Sequence, residues 1–201
     1  MASSWTGVQP MAELRVARSE LILGGQKSGK TARAEALAAA WLDAGSGHRA
    51  VYIATAQAWD EEMRERIARH RRDRAQRVPA METVEEPTEL ARAIGAHSRA
   101  DTLVVVDCLT LWLTARMLPA AGAAQPTFSD DPDTAIARAV AAAAGPLVLV
   151  SNEIGLGVIP LGPENRSFVD ALGRLNQQAA RACERVTLMA AGLPLLLKGR
   201  P

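Results

Sequence analysis

The residues best suited to chemistry lie in one short segment near the start of the chain. Gly24, Gly29, Lys30 and Thr31 have the spacing G-x-x-x-x-G-K-T within LILGGQKSGKT. An apolar run precedes the segment and a helix-forming run, ARAEALAAAWL, follows it, so backbone N–H groups and a helix N-terminus can face phosphate oxygens. The pattern predicts a nucleoside triphosphate site in which Lys30 contacts the β and γ phosphates and the Thr31 hydroxyl ligates Mg²⁺.

Asp107 is a second candidate ligand for the metal. It directly follows the apolar run 103–106, and a phosphate site of this kind needs a carboxylate at the end of a neighbouring strand. Aspartate is also a favoured N-cap, and a predicted helix begins near Leu109. A metal role and a capping role therefore both stay open for Asp107.

His70 is the candidate nucleophile. The segment 60–74, DEEMRERIARHRRDR, places Met63, Ile67 and His70 at i, i+4 and i+7, on or beside the buried stripe of a helix. A neutral imidazole can attack phosphorus, and the surrounding arginines could stabilise the resulting phosphate. A histidine packed at the edge of a helix is the alternative, and the residues alone do not exclude it.

Strand-like and helix-like segments alternate along the chain. Apolar runs predict strands at 21–23, 50–54, 103–106, 147–150 and 186–190, and helical patterns cover 32–43, 60–74, 109–118, 134–144 and 165–185. This order predicts an α/β fold with a mostly parallel central sheet covered on both faces. We expect one domain over 19–201, a flexible N-terminal extension over 1–18 and a mobile loop over 119–132.

The composition argues against several classes of partner. The chain has 201 residues, a formal net charge of +1 and only 3% aromatic residues, so we expect no nucleic-acid partner. No apolar stretch reaches the length of a membrane span, and the N-terminus does not read as a signal peptide. Cys108 and Cys183 lack metal-ligand spacing and are predicted to be reduced packing residues. A cytoplasmic location is the expectation.

Five segments, in this order, resemble one enzyme family: GGQKSGKTARAE, YIATAQAWDEEMRERIARHRRDR, VVVDCLTLWLT, VSNEIGLGVIP and FVDALGRLNQQAA. They are similar to the bifunctional adenosylcobinamide kinase / adenosylcobinamide-phosphate guanylyltransferase family of cobalamin biosynthesis, from about residue 21 to 198. The resemblance implies a P-loop NTPase (RecA-like) three-layer fold. It also implies an enzyme that phosphorylates adenosylcobinamide with ATP or GTP and then transfers GMP from GTP to the new phosphate, which gives adenosyl-GDP-cobinamide and pyrophosphate. A homo-oligomer, a trimer in the family, is implied as well.

The resemblance assigns roles to individual residues. In the family, GMP is carried by a histidine in an R-I-x-x-H motif, which falls here on Arg66, Ile67 and His70; Arg69 stands where some members have a second histidine. Lys30 is the other implied catalytic residue. The implied nucleotide contacts are Gly24, Gly25, Gln26, Lys27, Ser28, Gly29, Lys30, Thr31, Ala54, Thr55, Ala56, Arg71, Arg72, Asp73, Arg74, Glu85 and Asp107.

The chain departs from the family pattern at two of these segments. Ala56 stands where a serine is often found, which removes one hydrogen bond, and Ala115 replaces the usual asparagine after L-W-L-T.

Asn152 and Glu153 follow the fourth predicted strand, where an α/β sheet opens its ligand crevice, so they are candidates for the corrinoid or metal side. A plain turn is the alternative for that pair.

A switch GTPase is disfavoured because the chain lacks N-K-x-D and has no glycine two residues after Asp107. Two other functions remain as alternatives to the kinase and guanylyltransferase. A P-loop kinase for another small molecule would share the phosphate loop, with His70 merely structural. A non-catalytic nucleotide-binding assembly protein would need a polymer or partner surface. Formation of a covalent GMP adduct would distinguish the kinase and guanylyltransferase from both alternatives.

Overall fold

A seven-stranded sheet with helices on both faces forms the described part of the protein. The computed structural model describes residues 14–58, 60–118, 131–158 and 160–200. The strands are β1 (Ser19–Gly24), β2 (Arg49–Ala54), β3 (Met81–Glu85), β4 (Thr102–Asp107), β5 (Leu147–Val150), β6 (Arg185–Ala190) and β7 (Leu193–Lys198). The helices are α1 (Lys30–Asp43), α2 (Glu61–Arg77), α3 (Leu90–His97), α4 (Leu109–Met117), α5 (Pro132–Ala142) and α6 (Pro163–Ala182).

The strand order is β3-β2-β4-β5-β1-β6-β7, and only β7 runs antiparallel to its neighbour. All parallel strands therefore end at one edge of the sheet. This carboxyl edge collects the segments that follow β1, β2, β4 and β5. One strand, β5, separates β1 from β4, so Asp107 lies two strands away from the phosphate loop.

Successive residues of the central strands enter two separate cores, as the period of two in a strand requires. Leu21 and Leu23 of β1 belong to the core beneath α3, α4, α5 and α6, whereas Ile22 belongs to the core beneath α1. The near-continuous apolar strands in the sequence reflect this burial on both faces. The expected α/β three-layer fold is confirmed.

Two buried carboxylates attach α1 to its surroundings. Glu20 of β1, 1% exposed, accepts hydrogen bonds from Arg33 at 2.9 Å, Thr187 at 2.7 Å and Arg185 at 3.3 Å. On the other side of α1, the buried Glu35 accepts from Arg77 of α2 at 2.8 Å. Buried charges persist when they are paired and hydrogen-bonded, and these pairs join α1 to β1 and α2 to α1.

Three elements were not predicted from the sequence, and some boundaries were wrong. β3 is short and polar, α3 has only eight residues, and β7 contains Pro194, which normally argues against a strand. Proline is tolerated in β7 because this strand lies at the edge of the sheet. The loop predicted for 119–132 is wrong at its end, since Pro132 begins α5 with Asp131 as N-cap; residues 119–130 lie outside the described ranges.

The two thiols are buried. Burial raises the pKa of Cys108, with the Asp107 charge adding to the effect, and burial raises the pKa of Cys183 to about 12. Few thiolates form near neutral pH, so both residues are unreactive packing residues. Among the described residues, no helix is long and apolar enough to cross a membrane.

Candidate nucleotide-binding and transfer site

The phosphate loop, residues 24–31, joins β1 to α1 with backbone conformations that favour glycine. Gly24 has φ +151° and Gly29, the N-cap of α1, has φ +103°. Lys27 also adopts a positive φ of 57°, and the Gly25, Gln26 and Lys27 side of the loop is exposed. This path presents backbone N–H groups and the start of a 14-residue helix to an anion.

Close packing fixes the base of the loop. A Cβ on Gly24 would lie 2.5 Å from the Met189 carbonyl oxygen, and the Gly192 amide donates to the Ser28 carbonyl at 3.0 Å. The end of β6 and the turn between β6 and β7 therefore pack against the phosphate loop.

Replacing Gly24 with alanine is expected to weaken nucleotide binding by one to two orders of magnitude, because forcing a strained backbone costs about 1–3 kcal/mol. Gly25→Ala is the matched control, since a Cβ there would meet nothing within 4 Å. Calorimetric titration with GDP checks both variants. Equal affinities for the two variants would contradict this account of the loop.

Lys30 is the buried cation of the loop. Its ammonium group donates to the Gly25 carbonyl at 2.6 Å across the loop. Burial lowers the pKa of Lys30 and the nearby Arg66 lowers it further, whereas the charges of Cys108 and Asp107 oppose this shift.

Asp107, at the carboxyl end of β4, is half-buried and accepts a hydrogen bond from the hydroxyl of Tyr52. The capping alternative for Asp107 is wrong, because the N-cap of α4 is Cys108 and no side chain caps that helix. The metal role stays a prediction.

Thr55 attaches the end of β2 to the end of β4. It is fully buried, its hydroxyl donates to the Cys108 carbonyl at 2.8 Å, and the same oxygen accepts from the Cys108 amide at 2.7 Å. The Thr55 amide donates to the Asp107 carbonyl at 3.1 Å. Its flanking residues, Ala54 and Ala56, remain partly accessible. The hydrogen bonds of Thr55 thus fix the position of the backbone at Asp107 and Cys108.

Helix α2 buries the stripe that its sequence predicted. Met63, Ile67 and His70 are half-buried and Arg74 is buried, whereas most residues between them are exposed. Asp60 caps the helix by accepting from the Met63 amide at 2.7 Å. Within the described ranges, His70 makes no hydrogen bond or ion pair with another residue.

A second group of predicted residues gathers between α2 and β3. Arg71 forms an ion pair with Glu85, and both line a groove that also contains Arg74 and Thr83. Arg72 is exposed, and Asp73 is half-buried on the same helix. The structure therefore brings Arg71, Arg74 and Glu85 together beside β2, at a distance of one strand from Asp107.

Asn152 and Glu153 begin an anchored segment after β5. The Asn152 amide donates to the Thr110 hydroxyl at 2.9 Å, and its carbonyl accepts from the Asn176 side chain at 3.0 Å. The Glu153 amide donates to the Gly24 carbonyl at 3.2 Å, which joins this segment to the phosphate loop.

Sequence reasoning missed several residues that hold the site together. Tyr52, Thr83, Thr110 and Asn176 reach it through hydrogen bonds that join different elements. Tyr52, Thr110 and Asn176 lie inside segments that resemble the family, but the resemblance did not single them out, and Thr83 lies outside those segments. Their roles depend on contacts between different elements, which a single sequence does not show.

Comparison with known proteins shows which families and proteins this chain is similar to. A family model described as cobinamide kinase / cobinamide phosphate guanyltransferase matches residues 20–197. The chain is 47% identical to the bifunctional adenosylcobalamin biosynthesis protein CobP of Pseudomonas aeruginosa, over 90% of this chain and 98% of that protein. It is 33% identical to CobU of Escherichia coli, over 89% of this chain and 98% of that protein.

Among solved structures, the flagellar accessory protein FlaH of Methanocaldococcus jannaschii superposes with a TM-score of 0.51, covering 92% of this chain and 80% of that chain. At 12% identity this similarity concerns the fold alone.

Proposed function

Because the chain belongs to the cobinamide kinase / cobinamide phosphate guanyltransferase family, we propose that it catalyses two consecutive transfers in cobalamin biosynthesis. It phosphorylates adenosylcobinamide with ATP or GTP, and it then transfers GMP from GTP to adenosylcobinamide phosphate. The products are adenosyl-GDP-cobinamide and pyrophosphate. We place the reaction in the cytoplasm, where nucleoside triphosphates are available.

In the kinase step, the phosphate loop holds the triphosphate through its backbone N–H groups and the Lys30 ammonium group. Lys30 already reaches across the loop to Gly25, so a short movement of its side chain would bring it to the β and γ phosphates. The hydroxyl of the aminopropanol arm attacks the γ phosphorus, and the bond from that phosphorus to the β–γ bridging oxygen breaks. The nucleoside diphosphate leaves with the electron pair, and the hydroxyl loses its proton.

In the guanylyltransferase step, the imidazole of His70 attacks the α phosphorus of GTP. An N–P bond forms, the bond from the α phosphorus to the α–β bridging oxygen breaks, and pyrophosphate leaves. A phosphate oxygen of adenosylcobinamide phosphate then attacks the same phosphorus and releases the imidazole. The free imidazole of His70, which forms no hydrogen bond or ion pair within the described ranges, suits this role.

The observation that carries this proposal is the contact of α2 with the residues at the ends of β2 and β4. Arg74 of α2 lies over the ring of Tyr52, and the hydroxyl of Tyr52 donates to Asp107. His70 lies one helical turn before Arg74 on the same half-buried stripe. One triphosphate site can therefore serve a γ-phosphate transfer and an α-phosphate transfer, provided the nucleotide or α2 shifts between the steps.

The donor set fits a magnesium ion. Thr31 supplies a hydroxyl at the start of α1, and Asp107 supplies a half-buried carboxylate at the end of β4, on the same carboxyl edge of the sheet. Mg²⁺ in nucleotide sites keeps several waters and uses few protein ligands, so the lack of a cluster of three ligating side chains in the described residues is compatible with it. When bound, the ion would neutralise phosphate charge; Thr31 and Asp107 would hold it.

Product analysis tests the proposal as a whole. The pure protein is incubated with adenosylcobinamide, Mg²⁺ and either ATP alone or GTP, and corrinoids are identified by mass spectrometry. We expect adenosylcobinamide phosphate with ATP alone and adenosyl-GDP-cobinamide with GTP. Phosphorylated corrinoid without any GDP-linked product would show that the protein is a kinase only. The absence of any modified corrinoid would overturn the proposal.

We further propose that the acceptor corrinoid lies against the segment that follows Glu153. This segment adjoins the phosphate loop and carries Leu156, Val158 and Leu161, which are 79%, 97% and 92% exposed. Exposed apolar groups next to a site commonly mark a ligand surface, and a corrin ring offers a broad apolar face rimmed by amides.

Combining Leu156→Ser with Val158→Ser is expected to raise the KM for adenosylcobinamide by about tenfold or more, because two apolar contacts are lost. The KM for ATP should stay unchanged, since neither side chain belongs to the phosphate loop. Steady-state kinetics with each substrate varied in turn checks this. Equal changes in both KM values would contradict the assignment.

A homo-oligomer, with a trimer as the family form, is also part of the proposal. The edge strand β7 exposes Leu193, Leu195, Leu196 and Leu197, and no other strand of the described ranges pairs with its outer side. Such an edge is normally covered in a soluble assembly.

Leu195→Glu together with Leu197→Glu is expected to dissociate the assembly, because both substitutions place charges at this edge. Light scattering on a size-exclusion column measures the mass of wild type and variant. A wild-type protein that is monomeric at assay concentrations would contradict the oligomer.

A further inference from the structure

Tyr52, the only tyrosine of the chain, is buried in the middle of β2, and neither transfer step described above uses it. It is 2% exposed, among apolar neighbours of the core beneath α1. A phenol buried in such surroundings needs a hydrogen-bond partner to offset the loss of water. Its hydroxyl donates to one carboxylate oxygen, Oδ2, of Asp107.

The hydrogen bond between Tyr52 and Asp107 joins the core beneath α1 to the carboxyl edge of the sheet. A tyrosine hydroxyl carries its proton near neutral pH, and toward a carboxylate oxygen it acts as the donor. With Oδ2 bound to this donor, the rotation of the Asp107 carboxylate is restricted, and its second oxygen can serve as a ligand for a cation.

The ring of Tyr52 has a partner of its own. The guanidinium carbon of Arg74 lies 3.8 Å from the ring centroid, and the Arg74 Nε donates to the Thr83 hydroxyl of β3 at 3.2 Å. Arg74 is 4% exposed and lies one helical turn after His70 on α2. Tyr52 therefore contacts both the carboxylate at the end of β4 and the helix that carries His70.

From these contacts we propose that Tyr52 is a positioning residue that acts through Asp107: its hydroxyl orients the carboxylate for the cation that accompanies the nucleotide, while its ring aligns α2 through Arg74. The inference deepens the proposed function, on which it rests, by naming how the two halves of the site are joined. A tyrosine that only fills the core would give the same burial, but its hydroxyl would be dispensable for cation binding.

Tyr52→Phe tests the hydroxyl alone, because the ring, its packing and its stacking with Arg74 are kept. Mn²⁺ serves as a probe ion, and its binding to the protein–GDP complex is followed by the electron paramagnetic resonance signal of the free ion. We expect the Mn²⁺ affinity to fall about tenfold, as the loss of a hydrogen bond to a charged group implies. GDP affinity in the presence of EDTA should remain that of wild type.

A double-mutant cycle with Asp107→Asn shows whether Tyr52 acts through Asp107. In the Asp107→Asn background, Tyr52→Phe should add less than about a twofold change in Mn²⁺ affinity. Thr134→Val, which removes a hydroxyl hydrogen bond at the start of α5, should leave Mn²⁺ affinity unchanged.

Three results would overturn the inference. They are an unchanged Mn²⁺ affinity in Tyr52→Phe, fully additive effects in the cycle, and a Tyr52→Phe protein that fails to fold although Asp107→Asn folds. The readout needs only nucleotide and cation, so it stands even if no GMP transfer is found. Failure of the proposed function and failure of this inference are thereby distinguishable.

Discussion

His70→Ala is expected to abolish GMP transfer while phosphorylation of adenosylcobinamide continues. Loss of the nucleophile should lower guanylyl transfer by at least about 10³-fold, because no other group on the α2 stripe can form the N–P bond. The kinase step uses the phosphate loop and should stay within about threefold of wild type, since His70 takes no part in γ-phosphate transfer. Chromatographic separation of the phosphorylated and the GDP-linked corrinoid measures both steps in one reaction.

His97→Ala is the matched control, because His97 ends α3 and leads, through Ser98, to the start of β4, at the opposite edge of the sheet from the phosphate loop. This variant should retain both activities. A His70→Ala protein that still makes the GDP-linked product at a wild-type rate would exclude His70 as the carrier.

Lys30→Ala is expected to lower both activities together. Its ammonium group is the buried cation of the phosphate loop, and removing one charged group that stabilises a transition state costs about 10²–10³-fold in rate. Both transfers move a phosphoryl centre of the same bound triphosphate, so neither should be spared. Initial rates of each step, measured with saturating corrinoid, check the prediction.

Arg49→Ala is a suitable control for charge alone, since this exposed cation at the start of β2 pairs only loosely with Glu82, at 3.8 Å. It should leave both rates near those of wild type. If Lys30→Ala reduced only one of the two rates, the proposal of a single triphosphate site for both steps would be wrong.

The sequence predicted the fold well where apolar runs were long and bounded by turns. Buried strands such as β1, β4 and β5 were confirmed because both faces of their central residues enter a core, so the runs 21–23, 103–106 and 147–150 are wholly apolar. β3 and β7 were missed because edge strands carry polar residues or proline that central strands exclude.

The candidate site could be predicted only where one segment contains the whole pattern. The phosphate loop has its glycines, lysine and threonine within eight consecutive positions, so its spacing is visible in the sequence. The link from Asp107 through Tyr52 to Arg74 joins β4, β2 and α2. Such a link depends on strand order, which a single sequence does not contain.

The most direct test of the central claim is covalent labelling with GTP that carries ³²P at the α position. Wild-type protein is incubated with this GTP and Mg²⁺, denatured, and digested, and the labelled peptide is identified by mass spectrometry. The account predicts an acid-labile, alkali-stable label on the α2 peptide at His70, absent from His70→Ala. A wild-type protein that stays unlabelled while it phosphorylates adenosylcobinamide, or a label on another residue, would contradict it.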